Sequence, residues 1–213
     1  MTDIGLPVAQ DINHRGQISG YFLDARNFPH AYLWEKSKLI DLTSTGDIGI
    51  GTGLNDGGQV VGWSAPNGLP NHASLWDRNG QQDLGTLGGA DSIAVAINRQ
   101  GQIAGHSSTV GQAATHAFLW ENGVLTDLGA LGGGYSLARG IDDRGRIIGL
   151  SNTASGESHA FIWEAGVMTD LNTLLPANSG WTLQEAAGIN QHGLIVGVGI
   201  NPDGQLRPYL LQP

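Results

Sequence analysis
The same short string returns five times along the chain, as INHRGQISG at 12–20, LNDGGQVVG at 54–62, INRQGQIAG at 97–105, IDDRGRIIG at 141–149 and INQHGLIVG at 189–197. Its starting residues, Ile12, Leu54, Ile97, Ile141 and Ile189, are separated by 42, 43, 44 and 48 positions. A period of that length means one supersecondary unit copied in tandem, each copy burying an apolar face against its neighbours. A second string follows each copy: HAYLW at 30–34, HASLW at 72–76, HAFLW at 116–120, HAFIW at 159–163 and the degenerate RPYLL at 207–211. A third appears as DLTSTG at 41–46, DLGTLGG at 83–89, DLGALGG at 127–133 and DLNTLL at 170–175. Four copies are complete. The fifth stops after its second string, and DIGLP at 3–7 fits the place that it lacks.

Within a unit the apolar positions alternate and glycine interrupts every candidate helix, so the pattern predicts strands. In the third unit these fall at Ser92–Asn98, Gln102–Ser107, His116–Glu121 and Val124–Leu128. Asn98-Arg99-Gln100-Gly101 and Glu121-Asn122-Gly123 read as hairpin turns whose glycines adopt positive φ. Four antiparallel strands in ~43 residues is the length of a propeller blade. The expectation is an all-β, five-bladed β-propeller forming a single domain over 1–213, with residues 1–11 completing the last blade. The N-terminal strand would pair with the C-terminal blade and close the ring, which removes free sheet edges. Small residues stand one position before each Ile-Asn pair (Asp11, Gly53, Ala96, Gly140, Gly188) and three before it (Ala9, Gly51, Ala94, Ala138, Ala186). They mark the first strand as the inner one, where blades crowd together. Trp34, Trp76, Trp120 and Trp163 recur in the third strand and read as core filling between wider parts of neighbouring blades.

Composition excludes several function classes. Glycine supplies 34 of 213 residues, more than twice the typical share of about 7%, which suits short strands and tight turns. A net charge of −9 from 10 basic and 19 acidic side chains, with no cluster of Lys or Arg, argues against a nucleic-acid partner. With zero cysteines there are no disulfides, thiolate zinc sites or cysteine nucleophiles. The chain has no apolar run long enough to span a membrane and no leader of basic then apolar residues. No membrane contact and a cytoplasmic, soluble protein, as monomer or weak homo-oligomer, are the corresponding expectations.

HAFLWENG followed by DLGALGG, together with LNTLLPANSGWTLQEAAGINQHGLIVG near the C-terminus, resembles the HAF-repeat family of bacterial proteins. The likeness runs through essentially the whole chain. It implies a β-propeller-like repeat architecture, often in exported proteins, and assigns no chemistry.

The repeated polar residues read as scaffold. His30, His72, His116 and His159 occupy the same place in successive units, too far apart on a ring to share one metal ion. Asp41, Asp83, Asp127 and Asp170 recur likewise, and a His-Asp hydrogen bond in each unit superficially imitates half a catalytic triad. Gly49-Ile50-Gly51-Thr52-Gly53 lacks the helix and the Lys-Ser/Thr pair of a phosphate-binding loop. Asp142-Asp143 and Asn201-Pro202-Asp203-Gly204 do not have calcium-loop spacing. No redox cofactor, nucleotide or metal is implied.

Departures from the repeat are more informative, because a scaffold needs sameness and a single ligand site needs difference. After the second-strand glycine stand Tyr21, Trp63, His106, Leu150 and Val198, read as leading into the variable loops. Two positions before the Ile-Asn pair stand Gln10, Thr52, Val95, Arg139 and Ala187, and Asp91, Tyr135 and Glu185 break the pattern further upstream. The leading reading is one asymmetric pocket on the upper axial face, binding a small molecule, with cofactor-independent lyase, isomerase or cyclase chemistry. There His106 is general acid or base, Arg139 the anion anchor and Asp91 a further catalytic carboxylate, with Tyr21, Trp63, Tyr135, Gln10 and Glu185 contacting the ligand. Two alternatives stand beside it. One is a carbohydrate-binding propeller with several equivalent sites. The other is a protein-interaction scaffold presenting Tyr21, Phe22, Phe28, Trp63 and Leu69.

Overall fold
A computed structural model describes residues 7–43 and 47–212, and every described element longer than a turn is a β-strand. Four antiparallel modules have four strands each: β1–β4 (Val8–Ile12, Ile18–Leu23, Pro29–Glu35, Lys38–Asp41), β5–β8 (Ile48–Leu54, Val60–Ala65, His72–Asp77, Gly80–Gly85), β9–β12 (Gly88–Ile97, Ile103–Thr109, Thr115–Glu121, Val124–Asp127) and β13–β16 (Gly132–Ile141, Ile147–Thr153, Ser158–Glu164, Val167–Asp170). A fifth contains β17–β19 (Thr182–Ile189, Ile195–Ile200, Leu206–Leu211). Within each, consecutive strands are hydrogen-bonded neighbours, as tandem hairpins require. The third and fourth modules are joined into one eight-stranded sheet by a parallel bridge at Thr115 and Tyr135. Among the described residues no helix is long and apolar enough to cross a membrane.

The strands expected in the third unit are present within a few residues of their expected bounds. The turn at 98–101 forms because the Asn98 side-chain oxygen accepts from the backbone N–H groups of Gln100 and Gln102, while Gly101 adopts φ +82°. Ring closure is not observed among the described residues. Val8–Ile12 pairs with β2 inside the first module, and no described strand joins the first module to the fifth. Most of DIGLP lies outside the described residues.

The core is a series of seams, each between one module and the next. In the seam between modules two and three, Val61, Ala73, Leu75 and Leu84 meet Ala94, Ile103 and Phe118. Equivalent residues meet in the next seam, where Ala104, Ala117, Leu119 and Leu128 pack on Ala138, Ile141, Ile147 and Phe161. The small inner-strand residues are there for the expected reason: a Cβ on Gly53 would lie 3.0 Å from the Val95 carbonyl oxygen in the next module. Polar groups cross the seams too. The Ser92 hydroxyl accepts from Ala73 N–H and donates to the Gly85 carbonyl, and Ser136 does the same with Ala117 and Gly129. Of the four repeated tryptophans only Trp76 is fully buried. Trp120 and Trp163 pack against their seams with an edge in solvent, and Trp34 is on the first module, which has no described module before it.

Candidate functional site
The four repeated histidines form one scaffold contact made four times. Nδ1 of His30, His72, His116 and His159 lies 3.2, 2.8, 2.9 and 2.6 Å from a carboxylate oxygen of Asp41, Asp83, Asp127 and Asp170. Each aspartate also accepts a backbone N–H two residues on, from Thr43, Gly85, Gly129 and Asn172. The pair thus fastens the third strand of a module to its fourth and caps the loop that follows. In the fifth module Arg207 takes the histidine position.

The divergent positions have a common structural cause. Every first strand carries a β-bulge, and its extra residue is Gln10, Thr52, Val95, Arg139 or Ala187. A bulge turns one side chain out of the regular alternation. It is therefore the place in this fold where a unit can vary without disturbing the ladder. The residues after the second-strand glycine, expected to lead into loops, are instead strand residues. Tyr21, Trp63, His106, Leu150 and Val198 stand opposite Val8, Ile50, Ile93, Leu137 and Glu185.

His106 puts an imidazole into a register that other modules fill with apolar or aromatic groups. Between it and the fourth module lies a cavity of about 370 Å³, open to solvent and lined by Asp91, Ile93, His106, Ser108, Gln112, Thr115, Tyr135 and Leu137 among others. Asp91 is held from several sides. Its carboxylate accepts from Asn71 N–H at 3.2 Å, its carbonyl accepts from the hydroxyls of Ser107 and Ser108, and its N–H donates to the Ser108 hydroxyl. Tyr135 is fixed through its carbonyl, which accepts from the Ser151 hydroxyl at 3.1 Å. Nδ1 of His106 is enclosed and has no hydrogen-bond partner among the described residues. Burial, and after it the positive charge of Arg139, lowers the His106 pKa to about 4, so the ring is neutral at pH 7.

Arg139, expected as the anion anchor, is engaged in an ion pair. Its Nε donates to Glu185 at 2.7 Å across the seam between modules four and five. Glu185 occupies a position that is aliphatic in the other four modules, and here it answers the guanidinium charge. Its carbonyl accepts from the Tyr209 hydroxyl, whose pKa is raised by burial and by the Glu185 charge. Of the residues singled out from the sequence, Asp91, His106 and Tyr135 line one cavity, and Arg139 with Glu185 forms an ion pair within electrostatic reach of it. Tyr21 and Trp63 stand in the first two modules, and Gln10 is the exposed bulge residue of β1; none of the three lines this cavity. Ser108, Gln112 and Thr115 were not legible as lining residues, because they fall between the repeated strings where periodicity carries no signal. Among the described residues there is no group of three or more His, Cys, Asp or Glu side chains able to hold a metal ion.

No family model matches the chain, and no curated protein does. Solved structures do. TolB from Acinetobacter baumannii is 15% identical with a TM-score of 0.57, over 91% of this chain and 51% of that one. A puromycin-hydrolysing peptidase from Mycobacterium tuberculosis is 10% identical with a TM-score of 0.52, over 93% and 32%. The β-propeller domain of the trilobed protease from Pyrococcus furiosus, described as having an open velcro topology, is 14% identical with a TM-score of 0.50, over 73% and 50%. The chain thus spans about half or less of the chains it resembles. At these identities the likeness is one of fold, and it is to an all-β repeat architecture of the propeller type.

Proposed function
We propose that the five modules are the blades of a propeller that binds one small, uncharged, hydroxyl-rich molecule in the cavity between modules three and four. The observation that carries this reading is the neutral imidazole of His106 in the wall of a cavity that presents hydroxyl, amide and carboxylate groups beside the apolar Ile93 and Leu137. Size agrees, since about 370 Å³ falls at the small end of ligand pockets. Charge agrees too: the nearby guanidinium is engaged by Glu185, so nothing in the cavity selects an anion.

Titration with a panel of neutral monosaccharides and cyclic polyols tests this. Calorimetry is expected to give one site per chain, with affinity falling at least tenfold in His106→Leu and in Tyr135→Ala. A stoichiometry of several per chain, or unchanged affinity in both variants, refutes the reading. Acid-base turnover at His106 is the second reading, favoured by Asp91 and Tyr135 in the same cavity. A pKa of about 4 makes the free imidazole a weak base, so turnover requires the bound ligand to raise it. Conversion of a bound probe, lost in His106→Gln with binding retained, separates catalysis from binding alone.

A further inference from the structure
The seams between modules define what a module's two faces require. On the face turned toward the next module, one second-strand position is held by Val61, Ala104 and Ile148, each 0% exposed. One third-strand position there is held by Leu33, Leu75, Leu119 and Ile162, none more than 9% exposed. In the fifth module the same two positions are Val196 and Leu210, which are 49% and 67% exposed. At the other end of the array, Ile12 is 65% exposed, whereas its counterparts Leu54 and Ile141 are 6% and 8% exposed. Ala9 is exposed as well, although Ala94, Ala138 and Ala186 at its register are fully buried. One face is therefore left open at each end, and the two are of opposite kind.

Polar complementarity follows the same order. The side-chain amide of Asn13 donates to the Asn55 carbonyl, that of Asn55 to the Asn98 carbonyl and that of Asn98 to the Asp142 carbonyl, at 2.9, 3.1 and 2.9 Å. Asn190, at the same place in the fifth module, is exposed, and its amide nitrogen has no partner among the described residues. The ladder skips the seam between modules four and five, where Asp142 has no amide to donate, and an unused donor stands on the last module. The carbonyl of Asn13, which corresponds to the acceptor in every internal rung, receives no side-chain amide from a described residue.

We infer that these two faces are a head-to-tail interface between copies of this chain, the fifth module of one copy seating on the first module of another. The surface needed to cover Val196 and Leu210 is the surface that covers their counterparts inside the chain, and the first module of a second copy presents it: Ala9, Ile12 and the Asn13 carbonyl. The chain's own first module does not supply that cover, since Ala9, Ile12, Val196 and Leu210 are all exposed together and no described strand links the two ends. Because the faces differ, the contact is heterologous and adds copies in one direction.

Sedimentation equilibrium of the whole chain, from micromolar to millimolar concentration, reads this directly. The weight-average mass is expected to rise with concentration for the wild type and to stay at the monomer value for Leu210→Lys and for Ile12→Lys. Mixed in equal amounts, these two variants each keep one intact face, so they are expected to form a one-to-one dimer and nothing larger. Val196→Lys in place of Leu210→Lys repeats the arm at a second exposed position, and circular dichroism checks that each variant is folded. A wild type that stays monomeric throughout overturns the inference, whether its faces meet each other or await a different protein. So does a mixture of folded variants that does not dimerise.

Discussion
At the scale of single residues, the fourth module shows how a repeat keeps a contact while changing its chemistry. In the first three modules an Asn-Gln pair braces the first hairpin turn, with the amide nitrogens of Asn13, Asn55 and Asn98 donating to Gln17, Gln59 and Gln102. The fourth has Asp142 and Arg146 there, the carboxylate fully buried and accepting from the guanidinium Nε at 2.8 Å. The exchange involves both partners, and neither charge is tolerable alone. Arg146→Gln by itself strands a buried carboxylate and is expected to lower unfolding stability by about 3–5 kcal/mol. Adding Asp142→Asn rebuilds the pair of the other modules and is expected to restore most of that loss in denaturant unfolding; two additive losses would contradict the account. His106 supplies a second residue-scale prediction. Its unfolded imidazole protonates near 6.5 and its folded one near 4, so the unfolded chain binds the extra proton between those values. The contribution is fully present above about pH 6.5 and is lost as pH falls toward 4, up to about 3 kcal/mol. His106→Leu is expected to flatten that part of the stability profile, measured by chemical denaturation across pH 4–7. An unchanged profile would mean that the imidazole is not held neutral by burial.

At the scale of elements, the last glycine of the repeated string is explained by the bulge opposite it. A Cβ on Gly20, Gly62, Gly105, Gly149 or Gly197 would run into the carbonyl oxygen of Val8, Ile50, Ile93, Leu137 or Glu185 respectively. The bulge on the first strand forces that approach, and only glycine leaves room for it. Gly149→Ala is expected to lower stability by about 3 kcal/mol or more, whereas Gly156→Ala has open space around it and is limited to the penalty of a positive φ, roughly 1 kcal/mol. Thermal melts of the two variants check the order. Strand number, turn positions and the His-Asp scaffold contact were all legible in the sequence, since each is set by local spacing that repeats. The bulge was visible only as a place where units disagree, and its cause was not. A bulge depends on pairing register, which spacing within one strand does not determine. For the same reason Tyr21, Trp63 and His106 were assigned to loop entrances when they are strand residues.

At the scale of the whole molecule, repetition builds the scaffold, and departures from it line the candidate cavity. The aspartate, imidazole and phenol expected to converge do so because modules three and four are adjacent and share one seam. Gln10, Tyr21 and Trp63 do not join them, since their modules lie earlier in the array. Sequence alone could order the modules but could not say which seam a given side chain enters. A closed ring is not seen among the described strands, and most of the DIGLP segment expected to close it lies outside the described residues. The most direct test is backbone and side-chain NMR shift mapping while a binding monosaccharide or polyol from the panel is added. Perturbations are expected to gather on Asp91, His106, Thr115 and Tyr135 and to spare Tyr21, Trp63, Leu150 and Val198. Equal perturbation at that register in every module, or none near His106, would contradict a single site made by one departure from the repeat.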